Sequence, residues 1–545
     1  MKITIAQLNY HIGNFEGNFD KIKSAVSKAK QENADIVCFG ELATCGYPPR
    51  DFLEFDDFIK LSEKMIDKVK VLADGIAIVL GAPTRNPVPE GKDLYNSVYF
   101  LADQEVSFVQ HKALLPTYDI FDEYRYFEPA SDFGIVEYKG KKIALTVCED
   151  IWNIGNDNPL YTICPLDEMM PLQPDLVINV SASPFSYNHA NNRMDVLKKN
   201  VEKYKLPIFY INHVGAQTEV IFAGGSVVMS PDGKAYKEMV YFKEAVETFD
   251  LEKVSKGGRS ELQNAEKIEK IHDAIVLGIK DYFGKLGFQK AILGLSGGID
   301  SAVTAVLAER ALGKENVRVL LMPSQFSSDH SVNDAKELAE NLGIQYDIIA
   351  IKNIYDAYAN ELEPIFKGLE FNVTEENIQA RIRGMLNMAL SNKFGNIVLN
   401  TSNKSEMAVG YGTLYGDLCG GISVIGDVYK TEVFELAEYI NKDEEVIPIN
   451  TITKPPSAEL RPNQKDSDSL PDYDILDEIL FEYIENRKDP QDIIAMGHDE
   501  KLVKRILRLV NINEFKRYQT APVLRVSSKA FGMGRRMPIV GKYLS

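Results

Sequence analysis

Two series of short, apolar, β-branched-rich runs, spaced by amphipathic stretches, constrain the fold of this chain more than any other feature. The first series is ITIAQL (3–8), DIVCFG (35–40), IAIVLGA (76–82), SVYFLA (97–102), IALTVC (143–148), LVINVSA (176–182), PIFYIN (207–212) and SVVMS (226–230). Runs this short and this rich in β-branched residues predict strands. Between two of them, FDKIKSAVSKAK (19–30) places its apolar residues at helical spacing, which gives a βαβ rhythm. SPDGK (230–234) predicts a hairpin turn between VVM and YKEMVYF. A polar segment with a Gly-Gly pair, EKVSKGGRSEL (252–262), then interrupts the pattern and predicts a linker.

The rhythm restarts beyond it. Helix is expected over 263–285, 301–313, 332–343 and 374–393, and strand at KAILGLS (290–296), VRVLLMP (317–323), YDIIAI (346–351) and NIVLN (396–400). Strands alternating with helical crossovers predict a parallel sheet, doubly wound, with helices on both faces. A chain of 545 residues exceeds one ordinary core, so the expectation is two α/β domains, 1–251 and 263–545. The long polar stretch KPPSAELRPNQKDSDSLPDYD (454–474), punctuated by prolines, is a candidate lid.

Composition narrows the partners. Lys and Arg number 61 against 79 Asp and Glu, a net charge of −18, so the whole-protein field opposes unspecific binding to nucleic acid or to an anionic membrane. Any anion must be held by a local site. The start of the chain lacks the layout of a signal peptide, and no apolar run reaches the ~18 residues of a membrane span. Cys38, Cys45, Cys148, Cys164 and Cys419 are few and make no CxxC pair, which argues against a disulfide framework or a cysteine-rich zinc site. A cytoplasmic protein is expected.

The turn from Gly294 through Leu295, Ser296, Gly297, Gly298, Ile299 and Asp300 to Ser301 follows a predicted buried strand and opens a helix. Small residues there let backbone N–H groups face an anion, and the helix start favours negative charge. Ser296 and Ser301 can donate to phosphate oxygens, and Asp300 can hold Mg²⁺. Asp300 would serve equally well as a simple helix cap. The SGGIDS string (296–301) resembles the pyrophosphate loop of enzymes that cleave ATP to AMP and pyrophosphate. Further strings, MPSQFSSDHSVNDAKELAENLG (322–343), ENIQARIRG (376–384), NTSNKSEMAVGYGTLYGD (400–417) and GDVYKTEVFELA (426–437), are similar to NAD synthetase motifs and stand in the family's order.

That resemblance implies roles. Asp300 and Glu406 would ligand Mg²⁺, Thr401, Lys430 and Ser457 would contact ATP, and Asn377, Arg381, Asp417 and Lys516 would hold deamido-NAD. Taken alone, Glu406 and Lys430 are ordinary residues of helix starts, and Lys516 with Arg517 an ordinary exposed basic pair. Relatives carry Arg or Pro where Gln325 follows MPS, and Thr is common where Ser457 stands. The chemistry asks for such groups: a carboxylate must be activated by ATP as an acyl adenylate, and attack on the α-phosphorus needs positioning and charge neutralisation above all.

The first half resembles the nitrilase-like α/β sandwich that serves as glutaminase in glutamine-dependent NAD synthetases. Three segments carry the likeness: GELATCGYPPRD (40–51), HKALLPTYDIFDE (111–123) and TVCEDIW (146–152). A carboxylate base at Glu41 can take the thiol proton as Cys148 attacks an amide carbonyl, and later activate water against the thioester. Lys112 can stabilise the tetrahedral oxyanion. Cys45, close to Glu41 in sequence, is a rival nucleophile, and a strand-ending cysteine such as Cys148 is often no more than a small buried hydrophobe. The motif favours Cys148. Resemblance adds Tyr118 and Ser183 as glutamine contacts; His189 stands where relatives have Lys or Arg, a weaker anchor for the α-carboxylate unless protonated. FAGGS (222–226) replaces the family's FDGGS, so Ala223 inherits no role, and Trp152, the only tryptophan, has packing as its simplest use.

The expected reaction joins both halves: glutamine, ATP, deamido-NAD and water give NAD⁺, glutamate, AMP and pyrophosphate, with ammonia passed between domains. The family's pairing implies a homo-oligomer, at least a dimer. An alternative acceptor is another nucleotide or a tRNA, which the net charge disfavours. A nucleotide sensor with inactive domains would not need Glu41, Lys112, Cys148, Asp300 and Glu406 together.

Overall fold

Alternation along each strand becomes two packed faces once the strands pair. The computed structural model describes residues 1–154, 160–258, 262, 265–462 and 464–544. The chain divides into two units, Met1–Ala265 and Glu266–Ser545.

The first unit holds strands β1 (Lys2–Gln7), β2 (Ile36–Cys38), β3 (Ala77–Arg85), β4 (Leu94–Ala102), β5 (Glu105–His111), β6 (Val136–Tyr138), β7 (Lys141–Val147), β8 (Leu176–Val180), β9 (Ile208–Ile211), β10 (Val214–Gln217), β11 (Val220–Ala223), β12 (Val227–Met229), β13 (Ala235–Glu238) and β14 (Ala245–Asp250). They form two six-stranded sheets, ordered β14-β1-β2-β3-β4-β5 and β13-β12-β9-β8-β7-β6, with β10-β11 as a separate ribbon. Pairing is parallel at the centre of each sheet, β1-β2-β3 and β7-β8-β9, and antiparallel towards the edges. Ile3, Ile5, Cys38, Val79 and Phe100 of one sheet meet Leu145, Val147, Ile178, Val180 and Phe209 of the other. Their sequence neighbours point outward, as a period of two requires. Val37, Ile78 and Leu80 pack under helices Phe15–Gln31 and Asp56–Lys70, while Val177, Ile208 and Tyr210 pack under Pro165–Met169 and His189–Tyr204. The result is a four-layer α–β–β–α sandwich whose central strands are covered on both faces, while edge strand β5 exposes Glu105, Val106 and Ser107. Truncating a central residue such as Leu145 to Ala would cost about 2–5 kcal/mol.

In the second unit, β15 (Lys290–Gly294), β16 (Val317–Leu321), β17 (Gln345–Ile348), β18 (Asn396–Asn400) and β19 (Ile422–Ser423) are all parallel, in the order β17-β16-β15-β18-β19. Chain order reverses between β15 and β18, so the turns that leave their carboxyl ends diverge and open a crevice. Helix Ile299–Leu312 buries every residue from Ser301 to Ala308 and needs no polar stripe, because it is surrounded. Helices Tyr473–Ile484, Pro490–Ala495 and Glu500–Ile512 build a second small core on Met407, Ala408 and Val409.

Several expectations shift. Leu251–Ser255, placed mostly in the linker, is helix, and its Leu251 and Val254 join the inter-sheet core. Polar composition there reflects the helix's outer side. Residues 259–261 of the same segment, and 263–264 of the helix expected over 263–285, lie outside the described residues; that helix is Lys267–Leu286. Helix Asp56–Lys70, edge strands β5 and β14, and helix Lys352–Phe366 were not foreseen. No helix among the described residues is long and apolar enough to cross a membrane.

Candidate active sites

In the first unit β5 ends at His111 and β7 at Val147, so Lys112 and Cys148 each stand one residue past a strand, and Glu41 stands three past β2. All three are buried: Glu41 and Lys112 completely, Cys148 to 5 % exposure. Lys112 Nζ donates to Glu41 Oε1 at 2.7 Å and to Glu123 Oε1 and Oε2 at 2.9 and 2.8 Å. Glu41 is held further by Asn96 Nδ2 at 2.7 Å and the Ala182 N–H at 3.0 Å, and His213 Nε2 donates to its backbone carbonyl at 2.7 Å. Burial would drive the Lys112 ammonium neutral, but Glu123 and Glu41 outweigh it and hold it well above the usual lysine range. The thiol of Cys148 is pushed well up by burial and by the Glu41 charge, against the pull of Lys112. It rests protonated and needs a base at the moment of attack.

Cys148 has φ +42°, a left-handed backbone for a residue with a side chain, at the first position of the 3₁₀ turn Cys148–Ile151. Asp150 fixes that turn, accepting from the N–H groups of Ala113 and Leu114 with one oxygen and of Val147 with the other. Burial raises its carboxyl to about 6. Cys45 sits instead in an apolar cluster with Leu42, Tyr47 and Leu53, its thiol raised to about 12 by burial and donating only weakly to backbone carbonyls. Beside Cys148, Glu149 accepts from Tyr118 and Tyr161 hydroxyls at 2.9 and 3.0 Å. Ser183 Oγ and His189 Nε2 are hydrogen-bonded at 2.6 Å, and the Trp152 ring stacks on His189 at 5.3 Å. Trp152 packs, as its simplest reading has it, and the ring it packs on is that of His189. Ala223 lies buried in β11.

The second unit has a cleft of about 660 Å³ at the carboxyl ends of β15 and β18. Of the glycine turn, Gly294, Leu295, Ser296, Gly298, Ile299, Asp300 and Ser301 line it. Gly297 does not, but its φ of +83° and the Ser331 carbonyl, 2.2 Å from where a Cβ would stand, explain why glycine is required. Thr401, Glu406, Lys430, Ser457, Asn377, Asp417 and Lys516 line the same cleft. Asp300 accepts from Asn403 Nδ2 at 2.8 Å and Lys430 Nζ at 2.5 Å, and Glu406 lies 3.8 Å from the same ammonium. Burial would lower Lys430, yet Asp300 and Glu406 hold it above the usual range, while burial and Asp300 push the Glu406 carboxyl well up. Lys430 is therefore no surface lysine, nor Glu406 a solvated one.

Lys516 Nζ donates to the carbonyls of Gly410 and Gly412, and buried Arg517 pairs with Glu514, so the two are not an exposed basic pair. Asp417 accepts from the Thr413 N–H, and Asn377 from the Thr413 hydroxyl. Arg381 does not line the cleft: it is exposed and donates to the Leu414 carbonyl. Arg383, two residues on, lines it instead, its guanidinium lowered to about 10 by burial against Asp417 and Glu459. Gln325 is exposed and away from the lining. The segment 454–474, apart from residue 463, which is not described, folds along the cleft: Glu459 accepts from Ser328 and Ser331, and Asp466 from Tyr411 and Tyr473.

Sequence reasoning missed Asn96, Glu123, His213, Glu149, Arg383, Asn403 and Asp466. Glu123, Glu149, Arg383, Asn403 and Asp466 lie inside strings already singled out, but a residue that serves by pairing with a distant group leaves no spacing signal.

A thiol, a carboxylate and a buried lysine on a four-layer sandwich define a carbon-nitrogen hydrolase, and residues 2–162 match that family; residues 271–520, around the glycine turn and cleft, match NAD synthase. The chain is 44% identical to the glutamine-dependent NAD(+) synthetase of Synechocystis sp. over 98% of either chain, and 42% identical to that of Acinetobacter baylyi over 99% and 98%. A solved structure of the glutamine-dependent NAD+ synthetase from Acinetobacter baumannii in complex with adenosine diphosphate superposes with a TM-score of 0.79 at 38% identity, covering 99% of this chain and 98% of that one. The chain belongs to the glutamine-dependent NAD(+) synthetase family.

Proposed function

We propose that the chain converts deamido-NAD to NAD⁺, using ATP to activate the acid and glutamine to supply the nitrogen. The observation that carries this reading is the presence, in one chain, of a buried thiol–carboxylate–lysine cluster and a glycine-turn cleft built for a nucleotide. Ammonia is mostly protonated at neutral pH, so a ligase that uses it gains from making it on site.

Glu41 takes the proton of Cys148 as the sulfur attacks the glutamine amide, and the amine leaves with a proton returned to it. Lys112 offsets the charge of the tetrahedral oxyanion. Tyr118, bonded to Glu149 beside the thiol, and the hydrogen-bonded pair Ser183 and His189 hold the amino-acid end of glutamine. Water activated by Glu41 then releases glutamate.

In the cleft, the backbone from Gly294 to Ser301, with Thr401 and Ser457, cradles the triphosphate of ATP; Asn377, Asp417 and Lys516 hold deamido-NAD. Lys430 neutralises the departing pyrophosphate. Asp300 and Glu406 fit a divalent cation: both line the cleft, both offer hard oxygen donors, and they lie 2.5 and 3.8 Å from the same Lys430 ammonium. Mg²⁺ held there would screen the phosphate oxygens. Ammonia attacks the carbonyl of the adenylate and expels AMP.

A homo-oligomer extends the reading. Helix Val373–Phe394 sends Asn377 into the cleft but leaves Arg381 and Met385 exposed, and Ile365 and Leu369, in the chain just before it, are exposed by 74 and 73%. A second copy against this face would cover the apolar residues and bring Arg381 to a shared substrate site. The five free cysteines suit the reducing cytoplasm.

The test is product analysis. Enzyme supplied with deamido-NAD, ATP, Mg²⁺ and glutamine is expected to yield NAD⁺, glutamate, AMP and pyrophosphate in equal amounts; ADP and phosphate in place of AMP would refute adenylate chemistry.

A further inference from the structure

Asp477 belongs to none of the motifs, yet its carboxylate grips both residues that flank the charged pair of the cleft. It stands on helix Tyr473–Ile484 and is 5 % exposed. Oδ1 accepts from Ser405 Oγ at 2.5 Å; Oδ2 accepts from the Thr431 N–H and the Thr431 hydroxyl, each at 2.9 Å. Ser405 immediately precedes Glu406, and Thr431 immediately follows Lys430. The Ser405 hydroxyl also accepts from the Lys430 N–H at 2.9 Å, closing the loop. One side chain thereby ties the start of helix Lys404–Val409 to the start of helix Lys430–Ile440.

The same helix reaches the cation itself. The Tyr473 ring, one turn earlier, lies 5.4 Å from Lys430 Nζ, and its hydroxyl donates to Asp466 of the cleft-side segment. Further along, Glu485 pairs with fully buried Lys404 at 2.8 Å. A buried carboxylate is costly unless its oxygens are filled by donors, and here three donors fill them. Apolar packing could join these helices at no such cost, but it would not fix the two starts at a set distance.

We infer that Asp477 is a positioning residue for adenylate formation: it touches no substrate, but it sets the spacing of Glu406 and Lys430, and so the placement of charge around the departing pyrophosphate. The inference rests on the proposed function. Groups that act on charge developing in the transition state lose far more rate than binding when displaced by a fraction of an ångström.

The test uses the full-length enzyme with ammonium as nitrogen donor, so that the thiol plays no part. Asp477→Asn keeps the shape and one acceptor but turns an NH₂ against the remaining donors. NAD⁺ formation is expected to fall roughly 10- to 100-fold in kcat, with the KM for ATP changed by less than about threefold. Ser405→Ala is expected to fall in the same direction, and the double variant to be no worse than about twofold below Asp477→Asn, because both act through one contact. Glutamine hydrolysis, assayed without ATP, stays at the wild-type rate. A folded Asp477→Asn with wild-type kcat overturns the inference, as does a loss confined to KM, full additivity in the double variant, or a matching loss of glutamine hydrolysis. Should Asp477→Asn not fold, Ser405→Ala decides on the same readouts. Wild-type enzyme making no NAD⁺ at all would defeat the functional reading, not this inference.

Discussion

Cys148, the proposed nucleophile, shows how much of a buried cysteine's chemistry is decided by its neighbours. Its left-handed backbone places the thiol at the end of β7, where burial and Glu41 keep it protonated and Lys112 orients Glu41 through a hydrogen bond. Reactivity then depends on proton transfer during attack. Cys148→Ala is expected to abolish synthesis from glutamine while ammonium-driven synthesis stays within a few-fold of wild type; loss of both in a folded variant would contradict the separation of roles. Glu123 gives a second check. Burial lifts its carboxyl from the usual 4.5 to about 7, against Lys112. The folded chain therefore holds a proton that the unfolded chain has released, and stability present below pH 4.5 is lost as pH rises towards 7. Glu123→Gln removes that dependence, so its Tm should vary less than wild type across this window; parallel curves would rule Glu123 out as the group. Glu41, Lys112 and Cys148 were legible because each follows a strand in a distinctive string. Asn96, Glu123 and His213 were not, since their partners are supplied by the fold.

Single elements explain what the glycine turn contributes. The turn lies where the sheet order reverses, and strand–turn–helix was readable from apolar runs and spacing alone. Gly297 takes φ +83° with the Ser331 carbonyl 2.2 Å from a notional Cβ, so Gly297→Ala must displace either the turn or helix Asp329–Leu342. A fall of about 1–3 kcal/mol in unfolding free energy is expected, with synthesis from both nitrogen donors reduced more than its stability loss explains. Denaturant unfolding and steady-state rates would show it; a variant of normal stability and rate would mean that the turn is slack. Strands β5 and β14 escaped the reading because edge strands with one polar side resemble loops in a single sequence. Helix Asp56–Lys70 carried its apolar stripe at helical spacing, Phe58, Ile59, Met65, Ile66 and Val69, and was readable in principle.

At the scale of the whole molecule, length and the restarted rhythm pointed to two α/β units, the motifs' resemblances to their different kinds, and the sandwich and the doubly wound sheet agree with that fold class. The linker's first residues did not read as core, because Leu251 and Val254 are two apolar positions in a polar run. The exposed face around Met385 belongs to this scale too. Light scattering is expected to give at least twice the 61.1 kDa of one chain, and Met385→Glu to weaken association and raise the KM for deamido-NAD. A monomer of full activity would remove the shared-site proposal.

The claim on which the rest depends is that nitrogen freed at Cys148 is the nitrogen that enters NAD⁺. Glutamine labelled with ¹⁵N at the amide, supplied together with excess unlabelled ammonium, tests it in one mass spectrum of the product. Label retained in most of the NAD⁺ is the expected result. NAD⁺ whose label is diluted to the composition of the bulk ammonium would contradict it.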